Sequence, residues 1–171
     1  PARASERRPE VAEEILQQGK ADLITMGRAL LADPDFPRKA RQGKAEDIRP
    51  CIGCLQGCRE RLYRGESITC LVNPAAGHER ERRIKPAPVP KKVWVIGGGP
   101  GGMETALIAA LRGHDVTLWE RKDHLGGQFH LASLAPCREE IKVYLDFLTR
   151  QLKKAGVKIR LRREVTPEKI S

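Results

Sequence analysis

The chain has 171 residues, 40% of them hydrophobic and 32% charged, with a formal net charge of +10. That apolar share supplies a packed core and excludes a disordered chain. Aromatic residues are only 4%, too few for a base-stacking platform, and the arginines are scattered, so no nucleic-acid partner is expected despite the charge.

Pro9 suits the first turn of a helix in which Val11, Ala12, Ile15 and Leu16 share one face and Gly19 offers a left-handed stop. "ADLITMG" reads as a short buried strand from Ala21 to Met26. After Gly27 a second helical stretch, "RALLADPDFPRKARQG", is broken by Pro34 and Pro37. Residues 1–50 therefore predict a helix–strand–helix piece of an α/β protein. Residues 51–75 are a cysteine segment, and residues 76–91, with their charges and prolines, an exposed stiff linker.

Residues 92–171 read as a different unit. "VWVI" is an apolar strand and "GGGPGG" a turn. Met103, Ala106, Leu107, Ala110 and Leu111 make one helical face, and "DVTLWE" is a second strand. Arg138 to Ala155 is an amphipathic helix burying Ile141, Tyr144, Leu145, Leu148 and Leu152. "VKIRL" alternates as a third strand, and "EVTPEKIS" trails off. Strands alternating with helices imply a parallel sheet. The apolar run through the glycine turn carries six glycines and Glu104, which rules against a membrane span. With no signal-peptide pattern in "PARASERRPE", a reducing, cytoplasmic setting is expected. Clustered cysteines there read as metal or redox ligands.

Strand, then Gly97-x-Gly99-x-x-Gly102, then helix is the dinucleotide fingerprint in its required context. Gly97 allows the tight turn. Gly99 lets a pyrophosphate approach the helix N-terminus, and Gly102 lets helix and strand pack closely. Glu120 ends the second strand, where a carboxylate accepts hydrogen bonds from ribose hydroxyls. It argues against a 2′-phosphate, although Arg121 beside it weakens the point. "HLGGQ", His124 to Gln128, places Gly127 and Gln128 just after that acid. A second glycine pair there resembles the two-dinucleotide-binding flavoproteins, whose first nucleotide is FAD. His124 reads as a surface residue.

Cys51, Cys54, Cys58 and Cys70 are spaced C-x2-C-x3-C-x11-C. A zinc ribbon brings two separated C-x2-C knuckles. Three local thiols and one remote thiol instead suit a cubane iron–sulfur cluster, whose corners are capped by separate thiolates. Spacing alone leaves iron–sulfur, zinc and uncoordinated thiols open and favours the first. Gly53 and Gly57 let backbone N–H groups approach cluster sulfurs, and Arg49, Arg59 and Arg61 would offset its charge. Cys137, in "APCREE", has no partner spacing and reads as a bystander.

Together "ADLITMGRALLADPDFPRKA", "IRPCIGCLQGC", "ITCLVNPAAG", "VWVIGGGPGGMETA" and "HLGGQ" closely resemble the NADH:flavin oxidoreductase, old yellow enzyme-like family. The nearest group is its long iron–sulfur flavoproteins: 2,4-dienoyl-CoA reductase, 2-enoate reductase and trimethylamine dehydrogenase. The resemblance implies an α/β chain holding the C-terminal end of a TIM barrel, an iron–sulfur segment and the N-terminal part of a Rossmann-like FAD-binding domain. Gly27 and Arg28 match the family's FMN-phosphate site. The four cysteines match its 4Fe-4S ligands, and Gly97, Gly99, Gly102 and Glu120 match its FAD fold. The implied activity carries electrons from NAD(P)H through FAD and the cluster to FMN, which reduces an enoyl or dienoyl C=C bond in a small-molecule substrate. Amine dehydrogenation or demethylation within the same family and a non-catalytic electron-transfer module are the alternatives. A basic zinc module on nucleic acid is the remoter one.

The sequence also departs from the family. A barrel needs about 250 residues, and one repeat is present. "PARASERR" lacks the strand and phosphate loop that should precede "PEVAEEIL", and the barrel's substrate-binding and proton-donating residues are missing. The chain thus reads as an internal slice, whether a fragment, a truncated reading frame or one piece of a split enzyme, inactive alone, with residues 1–50 the poorly packed part and residues 92–171 the best ordered.

Overall fold

The computed structural model describes residues 8–166. The chain divides into two compact units, Pro1–Arg83 and Ile84–Ser171.

In the first unit, helix α1 (Pro9–Gln17) starts on Pro9 and ends before Gly19, whose φ of 62° is left-handed. Val11, Ala12 and Ile15 are partly covered and Leu16 is exposed, so the helix buries no residue fully. The expected strand at Ala21–Met26 does not form; the segment is irregular. A parallel strand needs neighbours for its backbone N–H and C=O groups, and residues 8–83 contain no strand. Helix α2 (Arg28–Ala32) and helix α3 (Phe36–Arg41) follow. The break between them falls at Asp33–Asp35, as Pro34 requires. Pro37 does not break anything: it sits in the first turn of α3, where a missing N–H costs nothing. Ala29, Phe36 and Ile48 make a small core with Met26, Leu30 and Ala40 against it.

Past Cys51 the chain makes a π-helical turn at Gln56–Glu60 that runs into the short helix α4 (Arg61–Tyr63). Leu55 enters it at φ 63°, a left-handed value unusual outside glycine and a mark of a constrained turn.

The second unit holds a three-stranded parallel sheet in the order β1 (Lys92–Ile96), β2 (Asp115–Trp119), β3 (Lys158–Arg160). Val95 pairs with Leu118 and Ile96 with Trp119; Leu118 in turn pairs with Ile159. Helix α5 (Pro100–Leu111) crosses from β1 to β2. Helices α6 (Gly127–Ala132) and α7 (Glu139–Lys154) cross from β2 to β3. Alternation then sorts the sheet. Val95, Val116 and Leu118 are buried with Met103, Ala106, Leu107, Leu148 and Leu152. Trp94 and Ile96, on the other face, are 48% and 55% exposed.

Two details of the expected helical faces shift. Leu111 is exposed at the end of α5, and on α7 Phe147 is buried where Ile141 was expected to be. Arg138 and Ala155 are the caps of α7 and not part of it. Helix α6 has no signature in the sequence, because six residues after a glycine pair carry too short a period to read. "PARASER" and the last five residues of "EVTPEKIS" lie outside the described residues.

Candidate functional site

Two constellations can carry chemistry, one in each unit. In the second unit β1 ends at Ile96 and the chain turns sharply through Gly97, at φ 104°. A Cβ on Gly102 would run into the Gly97 carbonyl, so α5 sits against the strand end only because residue 102 has no side chain. Gly99 is the N-cap of α5 and offers no side-chain cap. The first N–H groups of a twelve-residue helix are thus left for a ligand, with the positive end of the helix dipole behind them.

Glu120 closes this turn from beneath. The residue is buried, 7% exposed. Its Oε2 accepts from the Gly98 N–H at 2.6 Å and its Oε1 from the Lys122 N–H at 2.8 Å. Burial pushes the carboxyl up; the N–H groups of Lys122 and Gly98 and the charges of Lys122 and Arg121 pull it down further, leaving it below the ordinary glutamate value. Glu120 is therefore an anion, and each oxygen keeps a lone pair for another donor. Gly98, the unconstrained position of the fingerprint, turns out to be constrained. A Cβ there would meet Leu125 and the Glu120 side chain. Three glycines in a row were the available signal.

The second glycine pair docks on the first. The Gly126 N–H donates to Gly98 O at 2.7 Å, and a Cβ on Gly127 would lie 3.1 Å from Gly99 Cα. The result is a cleft of about 590 Å³ lined by Gly97, Glu120, Gly127 and Gln128. It opens at the carboxyl ends of the strands, where parallel sheets bind ligands. Trp119 and Arg163, which sequence reasoning did not single out, also line it. The Trp119 Nε1 is buried without a partner. Arg163 is delivered by its backbone N–H bond to Glu120 O at 3.0 Å, a pairing beyond β3 that no local pattern announces. His124 is partly buried, not a plain surface residue: its Nδ1 is 2.7 Å from Asp123 Oδ1, and its ring lies tilted at 37° to that of His130, with centroids 4.1 Å apart.

The first unit carries four of the five thiols. Cys51, Cys54, Cys58 and Cys70 are all partly buried and unpaired by disulfides, and Cys137 is exposed. The Gly53 N–H donates to Cys51 Sγ at 3.4 Å. The Thr69 N–H donates to Gly57 O at 2.6 Å, which lays the residue before Cys70 on the residue before Cys58. A Cβ on Gly57 would come within 2.8 Å of Thr69 O, so the glycine is what lets these two segments touch. Burial pushes the Cys70 thiol up, against the N–H groups of Val72 and Asn73, and the neighbouring Cys51 and Cys54 push it further. Cys70 thus stands within electrostatic reach of Cys51 and Cys54.

Among the described residues no three His, Cys, Asp or Glu side chains converge where a single metal ion would sit. Four thiols, three of them local and one on a segment tied beside them by the Thr69–Gly57 bond, are the donor chemistry of a cluster whose irons are capped one thiolate each. Gly27, exposed, is the N-cap of α2 and Arg28, partly buried, its first residue.

A parallel α/β sheet with a glycine turn, a helix N-terminus and a buried acid at one cleft is the architecture of a Rossmann-like nucleotide fold. The chain belongs to the pyridine nucleotide-disulphide oxidoreductase family, matched over residues 73–170, and its residues 4–47 match the NADH:flavin oxidoreductase / NADH oxidase family. It is 48% identical to a metal reductase of Desulforamulus reducens over 95% of this chain and 24% of that protein. It is 49% identical to an NADH oxidase of Thermoanaerobacter brockii over 90% of this chain and 24% of that protein. A solved 2-naphthoyl-CoA reductase, in complex with 2-naphthoyl-CoA, matches with a TM-score of 0.91 at 38% identity, over 96% of this chain and 25% of that one. The chain thus spans about a quarter of the length of the relatives it matches.

Proposed function

We propose that these residues are part of a cytoplasmic iron–sulfur flavin oxidoreductase that takes electrons from NAD(P)H and reduces an activated C=C bond of an enoyl or dienoyl compound. The supporting comparisons are an NADH oxidase and a reductase that was solved with an aryl-CoA thioester. On this reading residues 1–50 end an FMN-binding barrel, residues 51–75 carry a 4Fe-4S cluster, residues 76–91 link, and residues 92–171 begin the FAD domain.

What supports the proposal is the Thr69–Gly57 bond, which lays the segment before Cys70 on the segment before Cys58, in a chain that also builds a glycine-lined cleft. Cys51, Cys54, Cys58 and Cys70 would hold the cluster. Gly97, Gly99 and Gly102 would let the FAD pyrophosphate onto the α5 N-terminus. The Glu120 anion would hold ribose hydroxyls, and Gly127 and Gln128 would border the same nucleotide. Gly27 and Arg28 would contribute to the FMN phosphate. Held by these residues, the flavins and cluster would supply the exchange between two-electron and one-electron chemistry. The protein's part is to orient them, screen their charge and keep Glu120 ionised.

The test is anaerobic preparation of this chain and of the full-length protein, with assays for iron, acid-labile sulfide and flavin. Near-stoichiometric iron and sulfide with two flavins per full-length chain is the expected result. A full-length protein that is folded but holds neither iron nor flavin overturns the proposal, and stoichiometric zinc without sulfide supports the zinc reading instead.

A further inference from the structure

We propose that Arg49 is a positioning residue for the cysteine site, stapling its two arms together and to the end of α2. The inference rests on the iron–sulfur reading above and adds a residue that no ligand pattern contains. One arm runs from Arg49 through Pro50 into Cys51; the other runs from Cys70 into Val72 and Asn73. The Arg49 Nη1 donates across the gap to Val72 O at 2.5 Å. Val72 is 2% exposed, so this carbonyl is shielded from water and has little to replace that donor.

The staple is anchored at one buried carboxylate. Asp33, 4% exposed, caps the C-terminal end of α2. Its Oδ2 accepts from the Arg49 backbone N–H at 2.7 Å and from Lys39 Nζ at 2.6 Å, and its Oδ1 accepts from the Asp35 N–H at 3.0 Å. The second arm reaches the same helix independently. Asn73 Nδ2 donates to Leu31 O at 2.9 Å while its Oδ1 accepts from the Ala75 N–H at 3.1 Å. Both arms therefore end on the last turn of α2, and α2 begins at Gly27 and Arg28.

The geometry solves a specific difficulty. Cys51, Cys54 and Cys58 are kept near one another by the chain itself. Cys70 is remote in sequence, and holding it there opposes the entropy of a closed loop. Thr69 to Gly57 ties the loop on one side of Cys70, and Arg49 to Val72 ties it on the other. Arginine suits the role because its rigid fork reaches a carbonyl without deprotonating. A lysine there would keep the charge and lose the fork.

The experiment uses the anaerobically prepared full-length protein with Arg49→Gln, Arg49→Lys and Asn73→Ala. Three quantities are read: amide exchange of the peptide containing Ala75 and Ala76, iron and sulfide content, and the spectrum and midpoint potential of the reduced cluster. Arg49→Gln is expected to speed exchange of those amides roughly ten- to hundredfold, as loss of a part-buried charge-assisted bond predicts. It should also shift the cluster potential and its magnetic spectrum while flavin content stays unchanged. Arg49→Lys is expected to recover part of the potential and little of the exchange protection. Asn73→Ala, which removes the Ala75 amide's own acceptor as well as the tie to Leu31, marks full loss of that protection, and Arg49→Lys decides the matter if Arg49→Gln does not fold. Exchange, potential and spectrum all identical to wild type overturn the staple. Wild-type protein without iron overturns the iron–sulfur reading instead, and the exchange comparison still decides whether the staple exists.

Discussion

Replacing Glu120 with glutamine tests the dinucleotide cleft at its base. The wild-type carboxylate takes two backbone N–H groups, from Gly98 at 2.6 Å and Lys122 at 2.8 Å. Glutamine supplies one oxygen, and its NH2 group must face the other donor. The better arrangement turns the oxygen to Gly98, whose bond is buried, and leaves Lys122 to water. What is lost is one charge-assisted bond and the ionic part of the second, about 1–3 kcal/mol. Both tryptophans of the chain, Trp94 and Trp119, lie in this unit with ring centroids 5.3 Å apart. Their fluorescence under urea therefore reports on it directly, and a loss near 2 kcal/mol lowers the midpoint by roughly 1 M. The sign with pH is fixed by the depressed carboxyl. The Glu120 contribution is fully present above the ordinary glutamate value of about 4.3 and fades as pH falls through its lower folded-state value. The gap between wild type and E120Q must close in that acid range and nowhere above it. Coincident midpoints at pH 7, or a gap that persists once any carboxyl is protonated, refutes the reasoning.

Gly102→Ala forces a methyl against the Gly97 carbonyl. It is expected to cost about 1–3 kcal/mol by overpacking and to abolish FAD or ADP binding measured by titration calorimetry. Gly57→Ala pushes Thr69 away from the Cys58 turn and is expected to lower iron and sulfide content without changing the tryptophan-detected unfolding of the second unit. Limited proteolysis of the isolated chain is expected to cut first around α1, which buries no residue fully. Early cutting inside α5 or α7 instead contradicts the packing described here.

Much of the second unit was legible because its signals are local. "VWVI", "GGGPGG" and "DVTLWE" follow one another at the spacing of a β–α–β unit, and each glycine role depends on the absence of a nearby side chain. The strand expected at Ala21–Met26 failed for the complementary reason. "ADLITM" has the composition of a buried strand, but strand formation is a pairing with other backbone, and residues 8–83 contain no strand to pair with. Pro37 misled because proline ends a helix or begins one according to the turn it occupies, and only the backbone shows which.

The cysteine spacing, the glycine fingerprint and the acid at the end of the second strand were determined by the sequence alone, since thiol, missing Cβ and carboxylate act the same way wherever they stand. Which groups meet across the chain was decided only in three dimensions. Glu120 reaches Gly98, Gly126 reaches Gly98, Thr69 reaches Gly57, and Arg49 joins Asp33 to Val72. Hydrogen bonds of that range are set by how whole segments pack, and no window of neighbouring residues carries the distance between their ends.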